Sequence, residues 1–111
     1  MTDPDKELAK LRQLCPEAEL WTEGGRHVVF LPGVDFPANG DRATCDLLLW
    51  PFERDGYENR LFLSAAVAAP RATNWGVFNI QGRTWHACSW RGVPNTLPWI
   101  QILLNHLGAF R

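Results

Sequence analysis

Apolar positions recur with two different periods along the 111 residues of this chain, and the change of period marks its elements. Near the start, Leu8, Leu11 and Leu14 form one narrow stripe with Lys6, Lys10 and Arg12 on other faces, which predicts a short surface helix. Asp3 offers an N-cap oxygen, Pro4 sits where a missing N–H costs nothing, and Pro16 ends the helix. From Glu19 the residues turn aromatic and β-branched. Leu20-Trp21-Thr22 and Val28-Val29-Phe30-Leu31 flank Gly24-Gly25 and predict a hairpin. Pro32-Gly33 and Pro37-Ala38-Asn39-Gly40 are turn signals. A third strand is expected over 44–50, ended by Pro51, and a fourth over 61–67, stopped near Pro70. Residues 70–82 mix Asn74, Trp75, Gly76 and Asn79 and read as irregular. In the last segment Asn95-Thr96 caps a second helix, Pro98 falls early, and Leu97, Ile100, Leu103, Leu104 and Leu107 make an apolar stripe as far as Gly108.

The expected order is therefore helix, four-stranded antiparallel meander, irregular aromatic segment, helix, an α+β layout with the helices on one side of the sheet. No repeat, low-complexity stretch or linker divides residues 1–111, and that length suffices for one domain with its own core. Eleven basic residues balance twelve acidic ones. Without a cationic excess, binding to nucleic acid or to an anionic membrane surface is not expected. The start of the chain is acidic rather than apolar and no run reaches spanning length, so neither a signal peptide nor a membrane segment is expected. Cys15, Cys45 and Cys88 are odd in number and lack a CxxC pair, which argues against a disulfide framework or a zinc ribbon and favours a reducing, cytoplasmic setting.

Chemistry concentrates in Gly82-Arg83-Thr84-Trp85-His86-Ala87-Cys88-Ser89-Trp90. In an extended chain Trp85, Ala87 and Ser89 share one face while His86, Cys88 and Trp90 share the other. An imidazolium beside a thiol favours the thiolate, which makes Cys88 the nucleophile candidate and His86 its activating neighbour. The competing reading is a small buried hydrophobe with a raised pKa. Asn79 offers an amide for an oxyanion, or simply satisfies a turn. No further histidine or cysteine lies at metal-ligand spacing, no GxSxG turn accompanies His86, and no phosphate loop is present, so neither a metal nor a diffusible cofactor is implied. Six tryptophans supply either core area or interface anchors.

Three stretches together carry a resemblance. Phe30-Leu31-Pro32-Gly33 precedes Cys45-Asp46-Leu47-Leu48-Leu49-Trp50-Pro51, and the Trp85–Trp90 segment precedes a leucine-rich helix. In this arrangement the chain resembles the ubiquitin-conjugating enzyme superfamily, specifically small bacterial members of the type labelled family E. The resemblance implies a minimal ubiquitin-conjugating-enzyme-like fold in which an N-terminal helix, four strands and a C-terminal helix span the chain. It implies a component of a bacterial ubiquitin-like protein conjugation pathway, with a ubiquitin-like protein and an activating enzyme as partners. Cys88 would accept the ubiquitin-like protein as a thioester and pass it to an amine, a transferase activity, with Asn79 supporting the oxyanion and the first helix docking the activating enzyme. The His-Pro-Asn tripeptide of eukaryotic relatives is replaced here by Val77-Phe78-Asn79. The alternative is a non-catalytic module of the same fold that binds a ubiquitin-like protein or activating enzyme through exposed tryptophans.

Overall fold

In a computed structural model, which describes residues 3–71 and 73–111, the chain forms a six-stranded antiparallel sheet with both helices on one face. Helix α1 spans Pro4–Leu11 and α2 spans Trp99–Leu107, and the strands are β1 (Glu19–Glu23), β2 (Arg26–Ala38), β3 (Asp41–Trp50), β4 (Arg60–Leu63), β5 (Thr73–Ile80) and β6 (Arg83–Ser89). They lie in the order β1-β2-β3-β4-β6-β5. A single 3-10 turn, Gly108–Phe110, follows α2.

The expected four-stranded meander between two helices is therefore incorrect, and with it the minimal ubiquitin-conjugating-enzyme-like architecture. The stretch read as irregular contains β5, which pairs with β6 from Ile80↔Arg83 back along the strand. The turn between them, Gln81-Gly82, has φ of 50° and 75°. That is the doubly left-handed geometry of a two-residue hairpin, which suits the twist of antiparallel strands. Asn39-Gly40, with φ of 50° and 79°, makes the same turn between β2 and β3. The hairpin expected around Gly24-Gly25 is present, with Glu23 opposite Arg26.

Strand β2 also runs on through its supposed turn signals. Leu31 pairs with Leu47 and Val34 with Cys45, so Pro32 and Gly33 together oppose the single residue Asp46 in a β-bulge. The Asp46 carboxylate accepts the Gly33 N–H at 2.8 Å and holds the bulge closed. One extra residue inverts the alternation of faces. As a result Val29 and Leu31 before the bulge, and Phe36 and Ala38 after it, all belong to the same core cluster.

Both helices are shorter than their apolar stripes. Asp3 caps α1, its carboxylate accepting the Asp5 N–H at 3.0 Å. Leu8 and Leu11 are buried, but Leu14 lies past the helix and is 51% exposed. Helix α2 has Pro98 at its N-cap with no side-chain bond. Asn95, expected to cap it, instead accepts from the buried Asn59 at 2.8 Å. No helix among the described residues is long and apolar enough to cross a membrane.

Apolar side chains fill both faces. The helix face gathers Leu8, Leu11, Leu47, Leu61, Ile102 and Leu103, among others. The opposite face, which no helix covers, buries Val28, Phe30, Leu48, Trp50, Phe62 and Trp85.

Candidate functional site

Strand β6 sits between β4 and β5, so the side chains of its central residues are enclosed by neighbours on both edges. Cys88 and Trp90 pack with the helix-face cluster, while Trp85 and Ala87 pack with the aromatic one. Strand alternation places His86 on the same face as Cys88. His86 is half-buried and lies opposite Leu63 on one side and Val77 on the other.

Cys88 is 9% exposed. Burial pushes its thiol above the ordinary value, against a smaller opposing pull from a backbone contact and from Arg60. A reactive cysteine needs the reverse, an electropositive and accessible setting. Cys15 and Cys45 are also free and buried. Burial raises the Cys45 thiol as well, and the Cys15 thiol donates to the Pro32 carbonyl at 3.5 Å. Asn79, on the edge strand β5, lies opposite Thr84. Four residues of extended chain separate Thr84 from Cys88, roughly 13 Å at the rise of a β-strand. The structure thus brings His86 and Cys88 to one face and leaves Asn79 apart from them. Among the described residues no group of three or more His, Cys, Asp or Glu side chains converges as a metal site.

The tryptophans are spent on packing. Trp50, Trp85 and Trp99 are buried, and Trp21, Trp75 and Trp90 are half-buried. Trp21 stacks on Phe30 with ring centroids 4.5 Å apart, and Trp85 meets both edge-on. Trp75 stacks on Phe110. None of them projects as an exposed anchor.

A concave surface lies elsewhere on the molecule. An open groove runs between α2, the second half of β2 and the segment after α1. Leu31, Phe36, Leu103 and Leu107 lie beneath it and are themselves buried, and Leu14 and Leu104 stand exposed at its rim. Its more enclosed part holds about 190 Å³, and it continues as a more open depression of about 390 Å³ past Pro16, Glu17 and Gly33. Among the described residues the large exposed apolar side chains are Leu14, Leu104 and Val77, at 51%, 38% and 68%, and the first two belong to this groove. Asp35 lies along it, and its carboxylate pairs with Arg42 at 2.9 Å and is held below its usual range, chiefly by that hydrogen bond.

Sequence reasoning missed the groove because Leu14 and Leu104 each complete an apolar stripe that looks destined for the core. Leu14 was misplaced by the early end of α1, which periodicity does not mark. Leu104 follows Ile102 and Leu103, which are both buried, and falls at the edge of the packed face of α2, where it is 38% exposed. No protein-family model, no curated protein and no solved structure matches the chain.

Proposed function

We propose that this chain is a non-covalent protein-binding module whose docking surface is the groove between α2 and β2. The observation that carries this reading is the pairing of Leu14 and Leu104, exposed together on the rim of a groove whose floor is apolar. Exposed apolar patches rimmed by polar groups are the usual mark of an interaction site. Cys88 supports it from the other side, since a thiol kept neutral by burial is a poor acceptor for an acyl group. A ubiquitin-like protein and an activating enzyme, the partners implied by the sequence resemblance, are the first to test.

The chain is incubated with ubiquitin-like proteins, their activating enzymes and ATP, and examined on a non-reducing gel beside Cys88→Ala and Cys45→Ala. No reductant-sensitive adduct is expected, and one that disappears in Cys88→Ala overturns the non-covalent reading in favour of thioester transfer. In parallel, a phage-displayed library of random peptides is selected on the wild-type chain. Peptides that bind the wild type and are lost with Leu104→Asp and Leu14→Asp support the groove. Failure to select any peptide, or selection of peptides indifferent to both changes, overturns it.

A further inference from the structure

Past its bulge, β2 has a hydrogen-bonded neighbour on one side only. Strand β1 pairs with β2 over Glu19↔Phe30 to Glu23↔Arg26 and goes no further, whereas β3 accompanies β2 as far as Ala38↔Asp41. Residues 33–38 of β2 therefore present a strand edge that β1 does not reach, and the groove runs along it.

The register shows which backbone groups face outward. The two-residue turn Asn39-Gly40 makes Ala38 and Asp41 the closing hydrogen-bonded pair. Pairs then alternate, so Phe36↔Ala43 exchanges bonds across the ladder while Asp35↔Thr44 and Pro37↔Arg42 do not. The Asp35 N–H, the Asp35 carbonyl and the Pro37 carbonyl point away from β3, toward the groove side of the strand. Pro37 fits this assignment, because a proline in a strand belongs where its missing donor faces no partner. Just beyond, the Asn39 N–H donates to the Phe110 carbonyl, so the segment after α2 closes the far end of the edge.

Resting on the reading of this groove as a protein-docking site, we propose that it takes its partner by strand addition: an extended segment hydrogen-bonds to Asp35 and Pro37 and lowers an apolar side chain between Leu14 and Leu104. Free backbone donors and acceptors along a strand edge are matched by another extended backbone, and an adjoining apolar pocket selects one alternate side chain. Charge sets the direction. Arg111 lines the groove at the Pro37 end, and Glu17 lines its continuation at the Gly33 end. The fitting segment carries an acidic group at the Arg111 end, then the apolar anchor, then a basic group at the Glu17 end. The other free edges fit less well. β1 is short and has Glu19 and Glu23 at its ends, a composition that discourages pairing. β5 shows an exposed Val77, but the groove does not reach it.

The test uses one peptide selected on the wild-type chain, with its affinity measured against two variants at one backbone position. Asp35→Pro removes the outward N–H and leaves the β2–β3 ladder intact, as Pro37 already does; Asp35→Asn keeps the N–H. Strand addition predicts that Asp35→Pro weakens binding roughly ten- to hundredfold, the effect of losing a partner for a buried polar group, while Asp35→Asn binds within about threefold of the wild type. Circular dichroism and thermal melting of both variants establish that they are folded. Amide exchange of the complex reads the same contact directly, as new protection at Asp35. Peptides that bind in a Leu104-dependent manner yet leave Asp35 unprotected and tolerate Asp35→Pro overturn strand addition and spare the docking site. Protection at Val77 and Asn79 instead moves the interface to β5 and overturns both, as does a failure of every peptide to depend on Leu104. Concentration-dependent dimerisation that protects Asp35 without peptide makes a second copy of this chain the occupant and overturns the assignment to a partner segment. For direction, the pair Arg111→Glu and Glu17→Lys is expected to select peptides of reversed charge order, and unchanged selection overturns the charge rule.

Discussion

The two faces of the sheet solve the same burial problem with different materials. On one face two helices and the turn after α2 supply the cover, and Leu11, Leu31, Leu47, Ile102 and Leu103 are essentially sealed. On the other no helix arrives, yet Leu48 and Phe62 are fully buried and Trp85 is 1% exposed. That face covers itself. Phe62 meets Trp50 and Phe78 edge-on, and arginines lie over the rings as a lid. The Arg54 guanidinium is 4.5 Å from the Trp50 centroid, Arg60 is 4.2 Å from Tyr57, and Arg83 is 5.1 Å from Phe30. A guanidinium over an aromatic ring covers it while its N–H groups keep polar partners; Arg60 is itself buried, and its partner is the Asp55 carboxylate. Asp55 pairs with both Arg54 and Arg60 and ties the loop after β3 to that lid. Rigid helices cannot follow a curved sheet everywhere, and where α2 parts from β2 the groove opens.

The largest effect that would break this comparison is expected from Trp85→Ala. Trp85 is buried against Trp21 and Phe30, and its indole donates to the Ile80 carbonyl at 3.3 Å. Truncation of such a side chain costs about 3–5 kcal/mol, read from urea unfolding. A loss near that of a surface change would show that the aromatic face is not a packed core.

The helix face carries a pH-sensitive joint that the aromatic face lacks. His106 on α2 is 5% exposed, with its Nε2 2.6 Å from the Asn59 side-chain oxygen. The Asn59 amide nitrogen donates to the Val93 carbonyl and to Asn95, so its oxygen is the acceptor and His106 carries its proton on Nε2. Burial, and then the charge of Arg60, push His106 down to about 4 from its ordinary 6.5. The unfolded chain therefore binds a proton that the folded chain refuses between those values. This contribution is complete above about pH 6.5, and its loss as pH falls to about 4 is on the order of 3 kcal/mol. Denaturant midpoints measured over that range should fall in the wild type and flatten in His106→Gln.

Smaller effects sharpen the contrast at the two surfaces. Arg54→Ala removes a guanidinium from above Trp50 and should cost about 1 kcal/mol. A double-mutant cycle with Trp50→Leu should recover part of that as coupling, and purely additive losses would mean that Arg54 only occupies space. Leu14→Asp is expected to change stability least, within roughly 0.5 kcal/mol, because Leu14 lies past the end of α1 with about half of its surface already in water. The same substitution is expected to abolish peptide selection, which would separate stability from binding at the groove; selection that survives Leu14→Asp breaks this contrast.

Much of this was legible from local pattern. Asp3-Pro4 started α1 where expected, Gly24-Gly25 turned the first hairpin, and Pro51 ended β3. Two of the errors share one cause. Proline and glycine mark a departure from regular geometry without saying whether the chain turns or merely bulges, and Pro32-Gly33 bulges because Asp46 on the next strand accepts the Gly33 N–H. Likewise Gln81-Gly82 became a tight hairpin turn only because β5 and β6 pair. At the candidate site, the placement of His86 and Cys88 on one face followed from alternation alone, but how deeply Cys88 lies depended on what covers that face.

The sequence by itself determined where α1 begins, that Gly24-Gly25 turns a hairpin, that β3 ends at Pro51, and that Cys88 and Trp90 share a side of their strand, because these follow from turn residues and from periods of a few residues. Only the tertiary structure decided that β6 would lie inside the sheet between β4 and β5, that burial would keep Cys88 neutral, and that β2 would outrun β1 to leave an open edge beside Leu14 and Leu104. Each of those is set by which distant segment arrives as a neighbour, and the free energy of a neighbour is not written in any one stretch of chain.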